Sequence, residues 1–417
     1  METDMQEKNV SLNNFEECIK CTICTAYCPV VPLNPLFPGP KQAGPDGERL
    51  RLKNPFFYDE NLKYCMNCKR CETACPSGVK IADIIHSARR EYGSSVPSLR
   101  DTILASTDLM GSFARPVSPL VNLFTGSKVG KVVMDKVLHI DSRRSFPKYR
   151  FRGFRGYFKR NLASAQPSFP AQVAFFHGCS TEYQHPEVGK AFVKVMNAMG
   201  YGVQLMDESC CGVAMVSNGM WSNARSNADH NMSEIRKAVS NGLSVVTTAS
   251  TCTFTMREEY PGVLGIGNSD VKDHVTLVEK FIYELVDSGK VRLVFRKDFS
   301  AKVAYHIPCH MEKLGWSIFT RELLSMIPGL ELHVLTSGCC GIAGTYGFKK
   351  ENHAVSQEIG RPVFDEIRAV APDFTVTECE TCKWQIEMST GGKVLNPIIL
   401  LADALDLEAT AKANGKV

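Results

Sequence analysis

Eight cysteines in two matching runs carry the clearest chemical signal in the chain. They are Cys18, Cys21, Cys24 and Cys28, closed by Pro29, and Cys65, Cys68, Cys71 and Cys75, closed by Pro76. Both runs have the spacing C-x2-C-x2-C-x3-C-P, the pattern that holds a pair of four-iron, four-sulfur clusters. The short gaps let three thiolates converge on one cube, and the fourth, set off by a longer gap and a rigid proline, reaches the other cube. The spacing therefore predicts one cluster on Cys18, Cys21, Cys24 and Cys75, and a second on Cys28, Cys65, Cys68 and Cys71. A structural zinc site is the competing reading, but it needs only four thiolates and leaves the remaining four cysteines and both prolines without a role. Electron conduction is the expected chemistry.

The elements that position these residues follow from the surrounding sequence. Between the two runs lies VPLNPLFPGPKQAGPDGE, residues 31–48, whose proline and glycine content predicts a loop wrapped around the clusters. Val79 to Tyr92 has apolar residues at helical spacing and ends in Arg89, Arg90 and Gly93, so a two-cluster ferredoxin domain built on helices is expected over residues 1–95. Residues 96–170 read as a connector, with helical stretches around Arg100–Ser112 and Pro119–Ile140. It continues into a segment, His139 to Arg160, in which eight basic residues and six aromatic residues accompany the single acid Asp141. That mixture suits a lipid surface, with a solvated linker as its alternative reading. The breaker-rich SAQPSFP closes the connector.

The rest of the chain repeats itself. A strand pattern leading to a cysteine (Val173 to Cys179; Val303 to Cys309) is followed by a helix (Val188–Met199; Glu312–Ile327) and a second strand (Tyr201–Met206; Leu330–Leu335). Next comes Cys-Cys-Gly, at Cys210, Cys211, Gly212 and at Cys339, Cys340, Gly341, and then a third strand (Val245–Ala249; Phe374–Glu378) before Cys252 or Cys382. The gaps agree closely: 31 and 30 residues from the first cysteine to the pair, 41 and 42 from the pair to the last. Alternating strands and helices imply parallel βαβ units with cysteines near the carboxyl ends of strands, where such sheets bind ligands. The fold class is thus α+β and α/β: a helical ferredoxin domain, then two repeated α/β cysteine-rich domains with small parallel sheets, over residues 171–295 and 296–408, and a tail at 409–417.

The two copies differ. The second has five cysteines, Cys309, Cys339, Cys340, Cys379 and Cys382, and is the stronger cluster site. The first has four, Cys179, Cys210, Cys211 and Cys252, because Ala249 stands where the second has Cys379; it is a weaker candidate, and buried thiols filling space are its alternative reading. His306, His310 and His177 adjoin these cysteines and are read as packed groups or hydrogen-bond donors rather than as ligands.

Composition limits the function classes. The 417 residues suffice for two to three domains of roughly 100 to 200 residues. Seventeen cysteines, clustered rather than scattered, fit metal ligation in a reducing compartment better than a disulfide framework. The opening METDMQEKNV has no apolar signal region, and no run is long enough to span a bilayer, so a cytoplasmic location is expected. A net charge of +4 is too small to argue for nucleic acid. GVLGIG does not follow a strand in the frame a dinucleotide fingerprint needs, and no flavin or nicotinamide site is evident.

The double ferredoxin run followed by tandem Cys-Cys-Gly domains resembles the iron–sulfur subunits of membrane-associated dehydrogenases and of heterodisulfide reductase. The strings NPLFPGPKQAGPDGERLRLK, YCMNCKRCETACPS, PSLRDTILASTDLMGS, VAFFHGC, VMNAMG, YHIPCHMEKLGW, CCGIAGTYGFKKEN and CETCKWQIEMST resemble the family of C subunits of anaerobic glycerol-3-phosphate dehydrogenases over nearly the whole chain. The resemblance implies a subunit that is not catalytic on its own. It implies partners, the flavoprotein A and B subunits that oxidise sn-glycerol 3-phosphate to dihydroxyacetone phosphate, and a peripheral place on the cytoplasmic side of the inner membrane, passing electrons toward menaquinone. It also implies two 4Fe-4S clusters on the eight N-terminal cysteines and, through the heterodisulfide reductase likeness, a non-cubane cluster on the five C-terminal ones. Three alternatives stand beside this reading: a thiol–disulfide enzyme, the iron–sulfur subunit of a glycolate- or lactate-type dehydrogenase, and a purely structural anchor without redox activity.

Overall fold

The two cysteine runs take the same backbone path. In each, the residues before and after the second cysteine adopt left-handed conformations (Lys20 and Thr22; Asn67 and Lys69), and a single helical turn carrying the third cysteine follows: α1 (Ile23–Ala26) and α3 (Arg70–Thr73). The computed structural model describes residues 14–93, 96–336 and 338–415; the opening decapeptide, the expected boundary at residue 95 and the last two residues of the tail lie outside them.

The proline-rich stretch between the runs is not wholly the expected loop. Gln42–Asp46 forms one wide helical turn running into α2 (Gly47–Arg51), and the turn tolerates Pro45 because Gly44 leaves the helical region, with φ −90° and ψ −107°. Helix α4 (Ile81–Glu91) falls where the periodicity predicts it. Its apolar residues, Ile81, Ile84, Ile85 and Ala88, are buried, and its first turn is held by the Glu72 carboxylate, which accepts from the Ala82 amide at 2.9 Å and the Asp83 amide at 3.3 Å.

The connector is four short helices rather than two long ones: α5 (Leu99–Ala105), α6 (Thr107–Ala114), α7 (Ser118–Gly126) and α8 (Lys128–Leu138). Ser127 ends α7 and caps α8, donating to the Phe124 carbonyl and accepting from the Gly130 amide, both at 2.9 Å. The aromatic and basic segment is only partly a surface. In α9 (Phe154–Asn161), Phe154 and Phe158 enter the core; Arg144 is fully buried over the Phe348 ring and bonded to Gln385; Arg143 pairs with Asp141; and Arg155 pairs with Glu208 at 3.2 Å. Arg144, Phe154 and Phe158 are buried, and the expected lipid-facing reading does not hold for these three.

The repeat is two four-stranded, all-parallel sheets of identical topology, ordered β2-β1-β3-β4 and β6-β5-β7-β8. The first comprises β1 (Ala171–Phe176), β2 (Tyr201–Leu205), β3 (Val245–Thr247) and β4 (Val275–Leu277), with α10 (Gly178–Tyr183), α11 (Pro186–Ala198), α12 (Val213–Ser217), α13 (Trp221–Ser240), α14 (Ser250–Phe254) and α15 (Val278–Asp287) between and after them. The second comprises β5 (Ala301–Tyr305), β6 (Leu330–Val334), β7 (Phe374–Val376) and β8 (Val394–Leu395), with α16 (Cys309–Leu314), α17 (Ser317–Ser325), α18 (Lys350–Val370), α19 (Glu380–Thr390) and α20 (Pro397–Ala404). The expected helix Glu312–Ile327 is broken into α16 and α17 at Gly315, whose φ of +71° a continuous helix excludes. β4 and β8, of three and two residues, are too short to show in the sequence pattern. One apolar core runs through both sheets, joining Phe175, Phe192 and Val246 to Val303, Tyr305 and Val376. The halves are also tied where β3 and β7 end, by Asn396 donating to the Thr248 carbonyl at 2.8 Å and the Ser250 amide to the Glu378 carbonyl at 2.9 Å.

Candidate metal centres

Successive backbone N–H groups on alternating left- and right-handed residues form a concavity that suits an anion, and iron–sulfur clusters with thiolate ligands carry net negative charge. Lys20, Thr22, Asn67 and Lys69, at φ between 54° and 65°, give both cysteine runs this shape without a single glycine. Holding four such residues left-handed is strained, and a group bound within the loops offsets that strain. Each loop also collects a fourth sulfur from the other run. Cys18, Cys21, Cys24 and Cys75 line one pocket, with Lys41 at its wall, and Cys24 feels the charges of Cys18 and Cys75. Cys28 stands instead with Cys65, Cys68 and Cys71. Burial pushes the Cys28 thiol up to about 11, the Cys68 thiol up to about 12, and Cys71 well above the usual range. Thiols so buried stay protonated at neutral pH unless a metal ion displaces the proton, so this donor set suits iron better than it suits free cysteine chemistry. The Val79 amide donates to the Cys75 sulfur at 3.4 Å.

In the second repeat all five cysteines converge. Cys309 opens α16 one residue beyond Pro308, Cys339 and Cys340 lie on the loop after β6, Cys379 precedes α19, and Cys382 occupies its first turn. The cysteines thus sit in loops and helix starts beyond the strands rather than on the strand ends themselves. Gly341, at φ +86°, turns the chain so that both members of the adjacent pair face inward; Cys340 and Cys382 are 3.3 Å apart, and the Gly341 amide donates to Cys339 at 3.3 Å. Hydrogen bonds from Cys339 and Cys382 hold the Cys340 thiol well below its ordinary range, and Cys382 likewise lowers Cys379, to about 7. Thiolate character is thus concentrated where a cation would sit. His306 belongs to this group: a ring nitrogen, the Cys340 sulfur and the Cys382 sulfur all lie within 4.8 Å of one another, and Nδ1 has no hydrogen-bond partner. Sequence reasoning passes over it as a ligand, since a histidine beside a cysteine says nothing of the direction its ring takes.

The first repeat brings together Cys179, Cys210, Cys211 and Cys252. Interaction with the Cys179 and Cys211 thiols holds Cys210 well below its ordinary range, while Cys210 and Cys252 push Cys211 well above it. Asp108 of α6 accepts from the Cys210 amide at 2.6 Å, and burial pushes this carboxyl up to about 7. The two sites adjoin: Thr251 lies 3.7 Å from the Cys379 sulfur, and Phe254 of α14 stacks on His310 of α16 with centroids 4.6 Å apart. His177 Nε2 lies 3.0 Å from a Glu208 carboxylate oxygen.

The N-terminal domain docks onto the second repeat with its Cys68 side. Helical turn α3 packs on α16, Asn67 accepts from His310 Nε2 at 3.2 Å through its carbonyl, and Cys68 lies within electrostatic reach of both Cys309 and Cys339. Three groups of cysteines therefore follow one another from the Cys21 pocket, through the Cys68 loop, to the five-cysteine site.

A fold of this kind, two crossed cysteine loops on a helical base followed by paired parallel sheets with cysteines beyond their strands, defines an iron–sulfur electron-transfer protein. Family models agree: residues 14–79 match the 4Fe-4S dicluster domain, and residues 173–257 and 303–387 each match the cysteine-rich domain. The C subunit of the anaerobic glycerol-3-phosphate dehydrogenase of Escherichia coli (strain K12) is 55% identical over 394 residues, covering 94% of this chain and 99% of that one. The chain belongs to that family. It is also 22% identical to the D subunit of the dihydromethanophenazine:CoB–CoM heterodisulfide reductase of Methanosarcina barkeri, across 96% of this chain and 95% of the relative, and 23% identical to the iron–sulfur subunit of the glycolate oxidase of Escherichia coli (strain K12), across 94% of each.

Proposed function

We propose that this chain receives electrons from a flavoprotein dimer of A and B subunits that oxidises sn-glycerol 3-phosphate, and passes them toward menaquinone from a peripheral position on the cytoplasmic face of the inner membrane. When bound, the clusters supply one-electron transfer, which a two-electron flavin donor needs to reach a quinone pool. Cys18, Cys21, Cys24 and Cys75 hold the first 4Fe-4S cluster, Cys28, Cys65, Cys68 and Cys71 the second, and Cys309, Cys339, Cys340, Cys379 and Cys382 a further non-cubane one; Cys179, Cys210, Cys211 and Cys252 form a lesser site. The observation that carries the reading is the docking of the Cys68 loop on α16, the helix that Cys309 opens, where α3 packs on α16 and His310 Nε2 meets the Asn67 carbonyl at 3.2 Å. The chain's own contribution is to fix that order, to bury Cys28 and Cys71 of the middle group, and to leave Cys21 at the surface. Anaerobic assembly with the two flavoprotein subunits, followed by addition of glycerol 3-phosphate, should reduce the clusters and produce their electron paramagnetic resonance signals. Flavin reduction without any iron–sulfur signal would refute the conduit.

A further inference from the structure

We propose that the outer face of α6, α7 and α8 docks on an anionic lipid surface. This rests on the peripheral attachment proposed above and names the surface that makes it. Leu109, Phe113, Val117 and Leu120 recur at helical spacing along α6 and α7, and Val129, Val132, Val133 and Val137 do so along α8; with Leu123 between them, all are between 42% and 72% exposed. The inner face of α8 is the opposite stripe, Gly130, Met134 and Asp135, which is buried. Nothing among the described residues covers the outer stripe.

The charge around this face selects its occupant. Both acids of the three helices are engaged: Asp108 with the Cys210 amide, and Asp135 with Lys350 at 2.5 Å. Lys128, Lys131 and Lys136 stand on α8 with no carboxylate at ion-pair distance among the described residues. The rim continues into the next segment, because Asn122 of α7 clamps the Tyr149 backbone with two 2.9 Å hydrogen bonds and so places exposed Lys148, Arg150 and Phe151 beside the helices. Apolar side chains, aliphatic but for Phe113 and Phe151 and ringed by unpaired cations, with no tyrosine or tryptophan among them, fit the acyl and headgroup boundary of an anionic bilayer. Among the described residues no helix is long and apolar enough to cross a membrane, and at 8, 9 and 11 residues these three suit a place on the surface.

The test is flotation of the purified, iron-loaded full chain with phosphatidylcholine vesicles, with and without about 30% phosphatidylglycerol. The native chain should float with the anionic vesicles. Leu120→Asn, Leu123→Asn and Val133→Asn together should lower partitioning at least about tenfold with iron content unchanged, and Lys128→Gln, Lys131→Gln and Lys136→Gln together should abolish the preference for phosphatidylglycerol, about fivefold per lysine. If the native chain floats and the apolar variant floats equally well, the face is wrong while attachment stands. If the native chain floats with neither vesicle, attachment itself falls. A variant that keeps its lipid binding but no longer retains the flavoprotein dimer would give this face to a protein partner and overturn the proposal.

Discussion

Replacing Lys69 with methionine tests whether the three parts of the molecule are welded by charge at one point. Lys69 is 1% exposed and lies on the left-handed turn between Cys68 and Cys71. Its ammonium group bonds the Asp83 carboxylate and stands 3.8 Å from Glu72 and 3.7 Å from Glu259, the last contributed by the first cysteine-rich unit. Glu72 already caps α4 and is reached from the second unit by Lys313 at 3.6 Å, so one buried cation serves carboxylates from two domains and a neighbour serves the third. Methionine matches the length of the stem but leaves Asp83 and Glu259 facing each other without a counter-charge. Breaking a buried pair in this way costs about 3 to 5 kcal/mol. With a urea dependence of about 2 kcal/mol per molar, the transition that reports on the junction should move down by roughly 1.5 to 2.5 M. Trp221, which stands edge-on to His86 of α4 at 6.3 Å, provides a local fluorescence signal for it. Adding Asp83→Asn and Glu259→Gln to Lys69→Met removes the orphaned charges and should restore most of the loss, because neutral buried polar groups cost far less than unpaired ions. A midpoint shift under about 0.3 M, or a triple variant no more stable than the single one at equal iron content, would refute the weld.

Three further outcomes follow from the geometry. Cys379→Ser should alter one paramagnetic component and leave the two ferredoxin-type signals intact, since Cys379 lies among the C-terminal sulfurs alone; Cys75→Ser should instead damage the centre it shares with Cys18, Cys21 and Cys24. Asp141, held down to about 2 chiefly by its hydrogen bonds to Arg143, contributes stability above its ordinary value of 3.8 that is lost as pH falls toward 2. Asp141→Asn should therefore cost about 1 kcal/mol at pH 7, after allowance for solvent screening, and almost nothing at pH 2, a difference that paired urea titrations will show. Gly130→Ala would place a methyl group 1.9 Å from the Phe124 carbonyl oxygen, forcing α7 and α8 apart, and should destabilise the hairpin by about 1 to 3 kcal/mol, read as faster amide exchange over residues 118–138.

What the sequence disclosed, it disclosed through residues whose chemistry demands a spacing. Thiolates that share one cube must recur at short fixed gaps, and strands that feed a parallel sheet must be separated by a helix, so the eight N-terminal cysteines and the duplicated sheet were legible from position alone. Residues whose roles depend on the partner across the fold were not. Arg144 and Arg150 look alike in the string, yet the first is sealed against Phe348 and Gln385 while the second stays exposed beside α7. The aromatic segment misled for that reason: Phe154 and Phe158 answer to the core of the first sheet, and the exposed apolar surface falls one segment earlier, on helices whose valines read equally well as core. Left-handed Lys20, Thr22, Asn67 and Lys69 carry no glycine to announce them, and lysine and threonine are not residues that favour that region. Lys69 joins both halves of this argument. The same backbone strain that turns the Cys68 loop inward aims its side chain at Asp83 and Glu259, so the local shape that suits a cluster also supplies the charge that fastens the ferredoxin domain to the repeat.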